Sequence, residues 1–141
     1  MGASQSMQKI GFEDMQTAIK NTEQYIVINT LPTGEQGFLI RGTISCEQEE
    51  MMINKYIKLS PQTKIVVYGK NDTDESVITK CNQLAGIGFP HVYAYMGGLF
   101  EWSLLQEIHG GELFETTSFL PSKELLKYKP RKKLGVSLIE L

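Results

Sequence analysis

The chain has 141 residues, a formal net charge of −2 and 41% hydrophobic residues, which is the ordinary composition of one globular domain. This near-neutral, slightly acidic balance argues against a protein that coats nucleic acid, because such proteins are basic overall. No apolar run reaches the roughly 18 residues that a transmembrane helix needs, and no apolar segment near the start predicts a secretory signal. We therefore expect a cytoplasmic protein with reduced thiols.

Helix and strand patterns alternate through the first half of the chain. Phe12, Met15 and Ile19 recur at helical spacing. The apolar, β-branched run at 25–28 predicts a buried strand. A weaker extended stretch covers 38–44, and a second helix is predicted over 47–57.

The alternation continues more strongly in the second half. A strand is predicted at 64–68, a polar loop at 69–76, an amphipathic helix at 77–85, a strand at 91–95 and a helix at 99–108. Such alternation implies a parallel sheet with helices on both faces. The working site of such a sheet lies beyond the carboxyl ends of its strands, here the loops 29–36 and 69–76 and the turn at Gly97-Gly98.

The sequence divides into three parts. Residues 1–9 are small and polar and predict a flexible N-terminal segment, 10–111 predict the α/β domain, and 112–141 predict a basic C-terminal extension with a short helix near 122–128. Residues 1–122 carry 8 basic and 14 acidic side chains, whereas 123–141 carry 6 and 2. The six basic side chains predict contact with a negative partner: Lys123, Lys127, Lys129, Arg131, Lys132 and Lys133.

The second half of the domain resembles a known family. The strand 65–68, the Gly88-Phe89 and Val92-Tyr93 pairs, and Gly97-Gly98 followed by Trp102 are similar to the corresponding elements of a rhodanese-like domain. More weakly, Ile26–Asn29 is similar to the first central strand of that family, with Asn29 where an Asp is usual, and 40–44 to its Ile-Pro-Gly-Ala-Ile stretch. The resemblance covers about residues 10–109 and implies an α/β fold with a five-stranded parallel sheet flanked by helices.

Rhodanese-like enzymes carry sulfur as a persulfide on a cysteine that follows the strand ending in Val-Tyr. The resemblance places that cysteine at Gly69, which has no side chain to act as a nucleophile. The family usually supplies Arg or Lys before the following helix, whereas this loop supplies mainly acidic side chains, which would repel an anionic substrate. The degenerate loop comprises Gly69, Lys70, Asn71, Asp72, Thr73, Asp74, Glu75 and Ser76.

The two cysteines are the remaining candidate nucleophiles. Cys81 falls on the apolar face of the predicted helix 77–85, where a cysteine acts as a small hydrophobic residue. Cys46 lies in a connection after Ile44 with no His or Lys nearby in sequence. Neither cysteine has metal-ligand spacing, and no cofactor or nucleotide motif is present.

The first residues fit a lipidation pattern. Gly2 with Ser6 matches the N-myristoylation motif. One acyl chain gives only marginal membrane binding, so the basic stretch 123–133 would supply the second signal.

Three functions from different classes follow. The first is a catalytically inactive rhodanese-like module that binds proteins. By analogy with the fold and charge, its setting would be a ciliary or microtubule assembly with acidic tubulin as the partner surface. The second is a sulfurtransferase that uses Cys46 or Cys81. The third is a myristoylated peripheral membrane protein.

Overall fold

The sheet at the centre of the molecule is parallel and has four strands. The computed structural model describes residues 7–135. The strands are β1 (Met7–Ile10), β2 (Tyr25–Asn29), β3 (Lys64–Tyr68) and β4 (Val92–Tyr95). Their order across the sheet is β1-β4-β3-β2, so β3 and β4 are central and their side chains are largely buried on both faces.

Four helices cover the two faces of this sheet. They are α1 (Phe12–Lys20), α2 (Cys46–Leu59), α3 (Glu75–Ile87) and α4 (Gly98–His109). Buried residues of α1 and α4 belong to one apolar cluster, built around Trp102, and those of α2 and α3 to a second, which includes Cys81. The predicted α/β architecture with helices on both faces is therefore confirmed.

The expected fifth strand is the main correction to the predicted sheet. Residues 38–44 make only two isolated bridges, a parallel one from Thr43 to Val27 and an antiparallel one from Ile40 to Thr116. Leu39 and Ile40 are both buried although they are adjacent, and Gly42 then adopts a φ of +96°. The positive φ of Gly42 departs from strand geometry, and the pairing partner changes from Thr116 at Ile40 to Val27 at Thr43, so no regular strand forms here.

The N-terminal boundary of the domain also differs from the prediction. Residues 7–9 were expected in a flexible segment, yet they form most of β1 and pair with β4, with Met7 opposite Val92. Gln8 and Lys9 are exposed on this edge strand, which explains why the segment has the polar composition of a loop.

The C-terminal extension packs against the domain over much of its described length. Phe114, Leu120, Leu125 and Tyr128 are buried in the same cluster as Trp102. The short helix expected near 122–128 is present as a 3-10 helix, Ser122–Tyr128. The extension therefore completes one face of the core.

Candidate functional site

The loop between β3 and α3 lies at the carboxyl end of the sheet, where the parallel alternation places a working site. α3 begins at Glu75, so Glu75 and Ser76 belong to its first turn rather than to the loop. Asp74 is the N-cap of this helix, and its Oδ1 accepts a hydrogen bond from the backbone N–H of Ser76 at 3.1 Å. A short acidic side chain is a favourable residue at this position.

The side chain of Asp74 fills the space above Gly69. Its Oδ2 accepts a hydrogen bond from the backbone N–H of Lys70 at 2.9 Å. A Cβ atom added at Gly69 would collide with this oxygen, and would lie 2.7 Å from Thr30 Oγ1 and 2.8 Å from Val77 Cγ2. The position where the resemblance implies a catalytic cysteine therefore has no nucleophile, and a side chain there would require the neighbouring side chains to move.

The first turn of α4 is hydrogen-bonded to the loop. The backbone N–H groups of Leu99 and Phe100 donate to the carbonyl oxygens of Gly69 and Lys70 at 2.9 and 2.8 Å. Gly98 has a φ of +65°, and a Cβ there would lie 2.6 Å from the carbonyl oxygen of Gly69. Only glycine accommodates both this conformation and this close approach, which explains Gly98.

Asn71 joins the loop to the C-terminal extension. Its Oδ1 accepts hydrogen bonds from the backbone N–H and the hydroxyl of Thr73, and its Nδ2 donates to the carbonyl oxygen of Tyr128 at 2.9 Å. The Tyr128 ring stacks on Phe38 with centroids 6.0 Å apart. Burial, together with the carboxylates of Glu35 and Glu124, raises the pKa of Tyr128. The extension is thus anchored directly beside the loop.

An open cleft of about 770 Å³ lies between the loop and the extension. Its lining combines residues of the loop after β2, the β3–α3 loop with the first turn of α3, and the extension. Five are basic and two acidic: Lys70, Lys127, Lys129, Arg131 and Lys133 against Asp74 and Glu75. The sequence-based expectation of anion repulsion concerned the loop alone; in the cleft as a whole the extension supplies four cations, and Asp72 does not line it.

The structure divides the six basic residues predicted to bind a partner. Lys127, Lys129, Arg131 and Lys133 line the cleft, whereas Lys123 and Lys132 do not. Within residues 7–135, none of the four cleft cations of the extension makes an ion pair; Lys70 pairs with Glu35 at 3.7 Å, where both side chains are partly exposed. An exposed pair of this kind is worth at most about 1 kcal/mol.

Both cysteines lie away from this cleft. Cys81 is fully buried between α3 and the sheet, and burial raises the pKa of its thiol to about 11. Cys46 is half-buried and is the first residue of α2 rather than part of a connection. It borders a different surface depression, together with Glu49 and Lys80.

The remaining predictions concern metal binding, membrane-spanning helices and lipidation. Within the described chain, no group of three His, Cys, Asp or Glu side chains could hold a metal ion, and no helix of residues 7–135 is long and apolar enough to cross a membrane. Gly2, the candidate lipidation site, and the apolar residues 136–141 lie outside the described residues.

Sequence reasoning missed how the loop and the extension combine. Thr30 and Pro32 also border the cleft. The sequence indicated the loop 29–36 only because it follows a predicted strand, and did not indicate these two residues. Asn71 and Tyr128 are separated by 57 positions, so no local pattern links them. The alternation of cations at 127, 129, 131 and 133 was the one available signal, since alternate residues of an extended chain face the same side.

Comparison with solved structures supports the fold. The chain resembles the BH2092 protein from Bacillus halodurans, with 19% identity over 83% of this chain and 87% of that chain and a TM-score of 0.60. The rhodanese-like domain of the Alr3790 protein from Anabaena sp. matches with 19% identity, 94% and 92% coverage and a TM-score of 0.56. Thiosulfate sulfurtransferase from Pseudomonas aeruginosa matches with 18% identity over 89% of this chain but 24% of its own length, with a TM-score of 0.57.

Sequence comparison identifies the family. No curated protein matches the chain at a significant level. The family model for the rhodanese-like domain matches residues 18–105, which is more than half of the chain and includes the β3–α3 loop. The chain therefore belongs to the rhodanese-like domain family.

Proposed function

We propose that this protein is a rhodanese-like protein without sulfurtransferase activity that serves as a protein-binding module. The observation that carries the proposal is the Asp74 carboxylate, which fills the space at Gly69 and accepts hydrogen bonds from the backbone N–H groups of Lys70 and Ser76. A sulfur-transferring site needs a thiolate stabilised by such N–H groups. Here a resident carboxylate uses them.

The two cysteines do not provide a substitute nucleophile in the cleft. With a pKa of about 11, the Cys81 thiol is ionised in only about one molecule in ten thousand at pH 7, and its side chain has no solvent access. Cys46 borders a depression that shares no residue with the cleft. A persulfide formed on Cys46 would therefore stand outside the site that the fold provides.

A thiosulfate:cyanide sulfurtransferase assay tests the absence of catalysis. The natural chain, Cys46→Ala and Cys81→Ala are measured beside an active rhodanese as a positive control. We expect all three proteins to give the rate of the uncatalysed reaction. Turnover by the natural chain that one of the two substitutions abolishes would establish the sulfurtransferase alternative instead.

The proposed partner is a protein with an acidic surface. The support is the row of extension cations that have no ion-pair partner among residues 7–135. A microtubule or ciliary assembly offers such a surface in tubulin, so we propose a cytoskeletal setting. Co-sedimentation with microtubules should be strong at low salt and weaken as salt rises; a protein that stays in the supernatant at low salt would contradict this setting.

The N-myristoylation of Gly2 stays a prediction. The basic residues of the extension would supply the second membrane signal that a single acyl chain requires. Mass spectrometry of the N-terminal peptide from native material tests it, because a free or acetylated terminus excludes this anchor.

A further inference from the structure

The cations of the cleft are arranged with a regular spacing. Lys129 has extended backbone angles, with φ −65° and ψ 155°, and the following residues to Lys133 form neither helix nor strand. Every second residue from Lys129 to Lys133 lines the cleft, and Lys132, between two of them, does not. Residues 129, 131 and 133 therefore present a row of cations to one cleft, at every second position of a stretch without helix or strand.

The position of these cations is fixed by buried neighbours. Tyr128 is buried and its carbonyl oxygen accepts the hydrogen bond from Asn71, while Leu125 is buried one turn earlier. The row of cations therefore starts from an anchored point beside the loop rather than from a free tail. Thr30, Thr73 and Ser76 also line the cleft.

We propose that this cleft binds an extended acidic segment of a partner protein, with alternate carboxylates of the segment meeting Lys129, Arg131 and Lys133. An extended peptide presents every second side chain on one side, and the cations of the extension that line the cleft likewise recur at every second position. The two acidic side chains of the cleft, Asp74 and Glu75, are outnumbered by five basic ones, so the charge of the lining stays positive. The inference rests on the proposed function, since it assigns a protein segment to a cleft that would otherwise admit a sulfur substrate.

Fluorescence anisotropy with a labelled peptide of alternating Glu and Thr tests the proposal. The full chain should bind this peptide and should not bind the peptide in which every Glu is replaced by Gln. The variant K129Q/R131Q should bind about tenfold more weakly, which is the loss expected for two partly exposed charge pairs. The matched control K123Q/K132Q removes the same charge from the same extension outside the cleft, and its affinity should change by less than about twofold.

The controls separate the outcomes. Equal losses in K129Q/R131Q and K123Q/K132Q would overturn the proposal, because they would show that the extension acts as a polycation without a defined site. Absence of binding to the Glu peptide, or binding to phosphatidylserine vesicles in its place, would also overturn it. These results leave the proposed lack of catalysis intact, whereas turnover in the sulfurtransferase assay contradicts that function whether or not the peptide binds.

Discussion

Replacing Gly69 by Ala adds one methyl group at the place where the family carries its nucleophile. At an ordinary position the change stabilises a protein by about 0.4–1 kcal/mol, because it restricts the unfolded chain. Here the new carbon would lie 2.7 Å from Thr30 Oγ1 and 2.8 Å from Val77 Cγ2 and would collide with Asp74 Oδ2. Carbon atoms pack favourably at about 3.5–4.0 Å, so the neighbouring groups must move.

The cost follows from what has to move. Overpacking of a tight site costs about 1–3 kcal/mol, and displacing the Asp74 cap from α3 costs about 1 kcal/mol more. We expect Gly69→Ala to lower the free energy of unfolding by about 2–4 kcal/mol, and the melting temperature by about 6–12 °C for a chain of this size. Urea unfolding followed by the fluorescence of buried Trp102 measures it.

Gly86→Ala is the matched control for this substitution. Gly86 lies within α3, and an added Cβ meets no atom within 4 Å. Alanine is favoured over glycine inside a helix by about 1 kcal/mol, so Gly86→Ala should raise the free energy of unfolding. A Gly69→Ala protein as stable as the natural chain would refute the crowding that we infer at the loop.

Three further results are expected. In DTNB titration of the folded protein, Cys46 should react first and Cys81 only on unfolding, because Cys81 is fully buried. Rapid reaction of the one thiol that remains in Cys46→Ala would contradict that burial. Asn71→Ala removes the hydrogen bond to Tyr128. It should lower the free energy of unfolding by about 1–2 kcal/mol and speed tryptic cleavage between 127 and 133. Unchanged cleavage would show that this bond does not hold the extension. Burial raises the pKa of Tyr68 above its ordinary value of about 10, so the folded state holds this proton more tightly than the unfolded state. The contribution of Tyr68 to the free energy of unfolding should therefore be fully present below about pH 10 and fall at higher pH. Tyr68→Phe should reduce this loss of stability above pH 10 by up to about 1.4 kcal/mol per pH unit. If stability falls with pH as steeply in the variant as in the natural chain, the assignment to Tyr68 is contradicted.

The central elements of the sheet could be predicted because their patterns are local. The run Lys64–Tyr68 is apolar and β-branched, and Val77, Cys81 and Leu84 repeat along one helix face. The family resemblance was carried by these same residues, with the Gly97-Gly98 turn. The periodicity that identifies each of these elements lies within a few consecutive residues, so the sequence alone predicts their secondary structure well.

The edges of the fold depended on distant partners. The backbone N–H of Arg41 donates to the carbonyl oxygen of Glu115, and that of Thr117 donates to the carbonyl oxygen of Leu39. These contacts with the extension replace the regular strand that the sequence predicted over 38–44. β1 was missed for a related reason, since its strand pairing is with β4, more than 80 residues later.

The candidate site was predicted in part. The sequence identified the absence of a nucleophile at Gly69, but the crowding by Asp74 requires the cap geometry of α3. It also identified the basic extension, but treated it as separate from the loop. The burial of Leu125 and Tyr128 brings the two together, and that long-range packing has no local signature.

Intact-mass spectrometry after incubation with thiosulfate tests the central claim most directly. If the β3–α3 loop holds a carboxylate where a sulfur carrier would stand, the natural chain should keep its mass, and an active rhodanese treated in parallel should gain one sulfur atom. A one-sulfur adduct on this chain that cyanide then removes would contradict the account.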